Sequence, residues 1–279
     1  MPDNGVITFD QRSSAPSSPS VGKMSLYSSG SNLNVEDPSG NVSPLVKSDG
    51  WTPASETWTY YSADSPTFSF SAGADVSGIY SEGMRVKCVL SGSETYMGII
   101  TGVSGSVVTT YGGTDYALTN NTITSPYYSG IKAPYGFPLD PDKWTVEVTD
   151  TTQRTQSTPT TNTWYNLGGV SISIPIGCWN VDYWVSLRFT DTAAETYTIQ
   201  SSLSTGSASE SDTDFSVLYA SYVLASGLFI APAKRAKMLN ITTKTIYYLN
   251  TLTATPDLDS IINDNTNDPL IIRAVSAYL

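Results

Sequence analysis

Asp140 and Asp142, one residue apart, form the kind of close carboxylate pair that acts as acid and base in glycoside hydrolysis. They flank Pro141, however, and a solvated turn is the better reading of that spacing. The chain contains no histidine, which removes Ser-His-Asp and Cys-His catalysis together with the commonest transition-metal ligand. The stretch from Asp257 to Asp268 is rich in the Asx oxygens that calcium prefers, but it lacks the glycine and the spaced glutamate of an EF-hand loop. Asx turns on a surface loop are favoured over calcium there. Cys88 and Cys178 lie in apolar surroundings and read as buried free thiols. No enzyme activity, metal or cofactor is expected.

What remains for binding is aromatic. Trp164, Tyr165 and Trp184 are candidate ligand residues that could stack on sugar rings, with Tyr60-Tyr61 and Tyr127-Tyr128 behind them. Trp184 stands out because it falls on the polar face of its strand. Lys234-Arg235-Ala236-Lys237 gathers three of only 14 basic residues in a chain of net charge −11. A solvated loop is favoured for it, and contact with an acidic neighbouring subunit is the functional alternative. The acidic balance argues against nucleic acid as a partner, because such binding needs a basic face.

Strands must position these residues. Charged residues are 14% of the chain, with 18 Tyr and 6 Trp among abundant Ser, Thr and Gly, a mixture that favours sheets and turns over helices. An all-β protein is expected, with four parts. Residues 1–50 are rich in Ser, Pro, Gly and Asn with isolated apolar pairs, and read as an extended attachment arm whose candidate anchors are Val6, Ile7, Leu26, Tyr27, Leu33 and Leu45. Residues 51–128 read as a small β-barrel or sandwich. In its run from Met84 to Leu90, Met84, Val86, Cys88 and Leu90 take one face and Arg85 and Lys87 the opposite one, as in a half-buried strand whose second face meets water.

Residues 129–142, with Pro134, Pro138 and Pro141, read as a stiff linker. Residues 143–279 carry alternating strands: Ile172 and Ile174 against Ser171 and Ser173, then Val181 to Phe189 against Asp182 and Arg188. They fit a jelly-roll sandwich. Phe215 to Ala233 lacks charge over a membrane span's length, but its Ser, Gly and Pro suit two buried strands, and no membrane insertion is expected. The β-run that closes on Leu279 suggests a terminal strand within a sheet or subunit interface, with Ile271, Val275, Tyr278 and Leu279 as interface candidates. Met1-Pro2-Asp3-Asn4-Gly5 lacks the features of a secretion signal.

Several of these segments resemble tailed-phage virion proteins. Ala15-Pro16-Ser17-Ser18-Pro19 through Gly22-Lys23-Met24-Ser25-Leu26-Tyr27, followed by Ser39-Gly40-Asn41-Val42-Ser43-Pro44-Leu45, is similar to a Pro-Gly element, Leu-Tyr pair and closing Leu in fibre and minor structural proteins. Gly50-Trp51, Glu56-Thr57-Trp58 and Lys143-Trp144-Thr145-Val146-Glu147-Val148 resemble the same group, and the C-terminal strands are similar in character to trimeric viral jelly-roll heads. The resemblance implies a homotrimer that joins other virion proteins through residues 1–50 and carries a projecting head for host-surface adhesion. It would assemble in the host cytoplasm and reside in the virion. The alternatives are a capsid decoration or head-fibre protein, and a carbohydrate-binding or carbohydrate-active module that meets a host glycan.

Overall fold

A computed structural model describes residues 16–29, 32–46, 49–64, 67–90, 94–114, 120, 122–192, 195–223, 227–264 and 268–279. It is built from antiparallel sheets, and no α-helix occurs among the described residues.

Strands β1 (Ser25–Ser29), β2 (Asn32–Glu36) and β3 (Val42–Val46) form a three-stranded meander. This differs from the extended arm expected for residues 1–50. The cause is local: the Asp37 carboxylate accepts hydrogen bonds from the Ser39 and Asn41 backbone N–H groups and from the Asn41 amide at 2.8–2.9 Å, while Gly40 takes a φ of 84°. That Asx-centred turn folds β3 back on β2 without help from elsewhere.

Strands β4 (Thr52–Pro53), β5 (Thr59–Asp64), β6 (Thr67–Ser71), β7 (Arg85–Leu90), β8 (Glu94–Ser104), β9 (Val107–Tyr111) and β10 (Ile123–Ser129) make one sheet in the order β4-β10-β7-β8-β9-β6-β5. Its two edge strands are consecutive in the chain, so β4 and β5 act as one bent strand that pairs with β10 at one end and β6 at the other. The result is a small barrel of six staves. Its interior holds Trp58, Phe70, Val86, Cys88, Leu90 and Ile100, with Trp58 stacked on Phe70 at 4.0 Å.

The remaining strands are β11 (Thr145–Asp150), β12 (Arg154–Ser157), β13 (Thr163–Tyr165), β14 (Ser171–Ile174), β15 (Gly177–Asp191), β16 (Glu195–Ser204), β17 (Val217–Val223), β18 (Gly227–Ile241), β19 (Thr245–Thr253), β20 (Ser260–Asn263) and β21 (Leu270–Ser276). β20 and β21 both pair with β15 and so form one interrupted limb; β11 with β12, and β13 with β14, behave alike. Eight limbs result. Numbered along the chain, they lie in the orders 6-3-8-1 and 2-7-4-5 in two sheets, which is a jelly roll. The uncharged stretch from Phe215 to Ala233 supplies β17 and part of β18, one strand to each sheet.

Two readings of strand and loop are corrected. Lys234-Arg235-Ala236-Lys237 lies inside the 15-residue β18, not in a loop; this strand borders its sheet, where charge at the rim is tolerated and guards against stray pairing. The Asx-rich stretch is not one loop either: Ser260-Ile261-Ile262-Asn263 is a buried strand within it.

The outer wall of the barrel and the jelly roll share one core, separate from the barrel interior. Tyr111 and Ile99, on the outside of the barrel wall, join Trp144, Trp179 and the inner jelly-roll residues in a single cluster. Tyr111 meets Trp179 edge-on at 4.9 Å, and Phe137 stacks on Trp144 at 5.1 Å. Pro134 and Phe137 are buried, so the largely exposed 129–142 segment is pinned at these two residues. At Gly113 (φ 96°) a Cβ would come within 2.9 Å of the Lys143 carbonyl, which lets the two backbones touch there.

Candidate functional site

The chain offers surfaces, and the residues singled out from sequence are dispersed over them. Trp164 opposes Leu252 on the outer face of the second sheet. Tyr165, the next residue, turns inward with Thr251 and its hydroxyl accepts from the Thr160 N–H at 2.8 Å. Trp184 lies on the outside of the other sheet, half-buried, donating its indole N–H to Asp268 at 3.0 Å. These three candidates form no common site.

The interface candidates also divide. Ile271 and Val275 sit half-buried on the outer face of β21, flanking Arg273, which pairs with Asp182 at 3.3 Å. Tyr278 is engaged within its own chain: its ring packs on Gly83, its hydroxyl donates to Glu82 at 3.1 Å, and its carbonyl accepts from Arg85 at 2.8 Å. Burial and the Glu82 carboxylate raise the Tyr278 phenol above its ordinary pKa. Lys132 donates to the Leu279 carbonyl at 3.0 Å. The last residues of the chain thus seal the jelly roll to the barrel.

Arg85 is the residue that sequence reasoning placed wrongly. It is 1% exposed, because the strand face expected to meet water meets the jelly roll instead. Its guanidinium donates to the carbonyls of Gly83, Lys132 and Tyr278 at 2.6–3.0 Å and lies 4.9 Å from the centre of the Phe137 ring. Desolvation lowers its pKa, and the carbonyl oxygens stand in for water around the cation. Lys87 on the same face lies over Trp51 at 4.5 Å and Tyr127 at 4.8 Å.

The basic cluster is likewise occupied internally. Lys237 bridges Asp212 and Asp214 at 2.6 and 2.8 Å, and Arg235 donates to the Ser216 carbonyl. These hydrogen bonds hold the Asp214 carboxyl below its usual range and raise Lys237. Together with Asn250, they fasten the segment before β17 against the sandwich: the Asn250 amide donates to the Gly206 and Ser209 carbonyls, and its oxygen accepts from the Ala208 N–H. Nothing in the sequence flags Asn250 except its place in an otherwise hydrophobic or hydroxylic strand.

Asp140 spends its carboxylate capping a 3-10 turn over Pro141–Trp144, accepting from the Asp142 N–H at 3.1 Å. Asp264, in the Asx-rich stretch, pairs with Arg188 at 2.9 Å. Among the described residues no group of three His, Cys, Asp or Glu is close enough to hold a metal ion. Cys88 is buried in the barrel and its thiol is pushed up to about 12 by desolvation, which makes it unreactive at neutral pH. Cys178 is half-buried and, like Cys88, free.

The anchor candidates belong to the meander, and their arrangement is unusual. Register places Leu26, Leu33 and Val35 on one face, with Tyr27, Asn34 and Glu36 on the other. The polar pair Asn34 and Glu36 is buried, Glu36 accepting from the Ser18 hydroxyl at 3.0 Å. Leu26 is 42% exposed, and Leu33 and Val35 are only partly covered. Val6 and Ile7 lie outside the described residues, as does the side chain of Leu45.

No family model and no curated protein matches this chain. Among solved structures it is similar to latent PorU from Porphyromonas gingivalis at 9% identity and a TM-score of 0.28, over 80% of this chain and 24% of that one. It is also similar to infectious bursal disease virus, Gx strain, at 11% identity and 0.25, over 88% and 68% of the two chains. The tandem CBM22 domain of Paenibacillus barcinonensis Xyn10C aligns at 10% identity and 0.19, over 83% and 95%. The chain spans about a quarter of the PorU chain it matches. TM-scores this low fall short of a shared fold, so they assign this chain no relative.

Proposed function

We propose that this chain is a non-enzymatic structural subunit of a tailed-phage particle, a homotrimer whose N-terminal segment joins other virion proteins while barrel and jelly roll project as one body. The observation that supports this best is the division of labour in the fold: two modules joined through one shared cluster, and ahead of them a small sheet with Leu26 exposed. A catalytic protein would gather polar side chains into a cleft. The strongest polar networks here, around Arg85, Asn250 and Lys237, fasten one part of the chain to another. Location at the tail, or on the capsid as a decoration or head fibre, is compatible with the same division.

Two measurements test the proposal. Light scattering coupled to size exclusion should give about three times the 29.9 kDa chain mass. Particles assembled with a chain lacking residues 1–48 should then be devoid of it, and full incorporation of that chain would remove the attachment role.

A carbohydrate-binding reading has one observation in its favour. Trp164, Tyr248 and the Ser171 and Ser173 hydroxyls line the outer face of the second sheet, an aromatic and hydroxylic track that suits a sugar chain. Saturable glycan binding lost on Trp164→Ala would establish it.

A further inference from the structure

The barrel is closed at one end of its seam and open at the other. β4 pairs with β10 at Pro53–Tyr127 and Thr52–Tyr128, and the Ala54 N–H adds one bond to the Pro126 carbonyl at 2.9 Å. Past that point the rims part. β5 pairs with β6 and the start of β10 with β7, and no pairing joins β5 to β10 among the described residues. Each rim carries a register shift, between Tyr60 and Ser62 in β5 and between Thr124 and Tyr127 in β10, and Ser125 inside the second holds a φ of 49°. Such a backbone is strained for a residue with a side chain, and strain and bulges of this kind collect beside binding sites.

The slot between the rims encloses about 420 Å³, within the ~300–1,000 Å³ span of small-molecule sites. Buried Trp58 and Ile123 and half-buried Tyr60 line it together with exposed Thr57, Thr122 and Asn120. Its aromatic wall is held from behind. Trp58 stacks on Phe70 at 4.0 Å and shares its indole N–H between the Glu56 carboxylate and the Tyr80 hydroxyl, each at 3.3 Å. Tyr60 rests against Phe68 at 6.0 Å. A cavity so braced binds without first having to be ordered.

We propose that this slot binds a neutral saccharide, one pyranose ring lying on Tyr60 with its hydroxyls met by Thr57, Thr122 and Asn120. The lining selects that class. No charged residue lines the slot, in a chain whose net charge of −11 disfavours anionic ligands. A cation would find no carboxylate on the wall, because Glu56 is spent on Ser55, Trp58 and Tyr80. Threonine hydroxyls and an asparagine amide both donate and accept, as sugar hydroxyls do, and an aromatic face suits the C–H groups of the ring. The site belongs to the barrel, is distinct from the Trp164 track on the jelly roll, and holds whether or not the chain is part of a particle. A single ring so held gives a dissociation constant on the order of 1 mM.

Saturation-transfer NMR of the full chain with glucose, galactose, mannose and N-acetylglucosamine, followed by titration of whichever bind, tests this. At least one should bind saturably. Thr122→Trp, which fills the slot from an exposed position, should weaken that binding at least tenfold, as should Tyr60→Ala, whereas Trp164→Ala should leave it unchanged. Thr122→Trp decides alone if Tyr60→Ala, whose ring packs on the barrel core, fails to fold. Absence of binding by all four sugars up to their solubility limits would overturn the proposal. Binding that survives Thr122→Trp, or that disappears with Trp164→Ala, would overturn the location. Glucuronate or adenosine bound as tightly as the neutral sugars would overturn the ligand class.

Discussion

The meander and the body behind it solve the same problem in opposite ways. In the body, large side chains go inward: Trp51, Trp144, Trp179, Phe70 and Phe215 are all at most 1% exposed. One aromatic cluster runs from barrel wall to jelly-roll interior. In the meander, Leu26 looks out and Glu36 looks in. The body leaves apolar side chains in water as well, Tyr135, Leu218 and Met238 among them, and the meander buries Tyr27, so what separates the regions is the large aromatic core that only the body has. Stability is the business of the body, whose core clusters the meander does not join.

Substitutions should respect that division. Trp144→Ala opens a cavity between barrel and jelly roll and should cost about 3–5 kcal/mol, with calorimetry still showing one transition for both modules; two separate transitions would mean that they do not share a core. Arg85→Met strands three carbonyl oxygens and should cost roughly 2–4 kcal/mol by chemical denaturation. Arg85→Lys should recover little of this, since one ammonium lacks the planar fork that reaches all three. Asn250→Ala should cost about 1–3 kcal/mol and speed proteolytic cleavage between residues 205 and 212, and an unchanged digestion pattern would count against its fastening role. At the small end, Leu26→Ser with Val35→Ser should change unfolding free energy by no more than ~0.5 kcal/mol. A loss as large as that of Trp144→Ala would erase the contrast between the regions.

Acid sharpens it further. Burial acts to raise Glu56 and Asp150, but hydrogen bonds from Tyr80, Trp58 and Ser55 to Glu56, and from Arg154 and Thr152 to Asp150, outweigh it and leave both below the ordinary carboxylate range. Folded pKa values below the unfolded ones contribute stability that is complete above about pH 4–5 and disappears as pH falls through the folded values. With no histidine in the chain, the urea midpoint should stay flat from pH 5 to 8 and drop below pH 4. Glu56→Gln should lessen that drop, and an unaltered acid limb would show that the Glu56–Tyr80–Trp58 network does not set it. At the alkaline end Tyr183, raised to about 12 by burial, adds stability that begins to fade as pH climbs past ~10.

Long strands with one buried face were legible in the sequence. β14 and β15 alternate in period two because one side of each meets the core, and their faces follow from spacing alone. β12 and β13, written Arg-Thr-Gln-Ser and Thr-Trp-Tyr, were not, since both lie at sheet borders where little apolar pattern is needed. The charged half of β18 was hidden for the same reason: Lys237 answers to Asp212 and Asp214 and Arg235 to the Ser216 carbonyl, which no local pattern connects to them. Arg85 was misread because period two tells which residues share a face and not what lies against it. The aromatics separated for a similar reason. Trp164 and Tyr165 are neighbours in sequence, and strand geometry sends neighbours to opposite sides.

The seal around Arg85 bears on when this protein becomes complete. Its guanidinium bonds to a carbonyl 193 positions further along the chain. At ribosomal speeds of about 5–20 residues per second, that partner emerges ~10–40 s after the arginine does. During this interval the barrel wall that Arg85 and Lys87 occupy is wet, and the cation keeps its hydration. Completion of the barrel wall is therefore tied to a residue made 193 positions later: a chain that stops short of Tyr278 leaves a charged, half-dressed wall exposed.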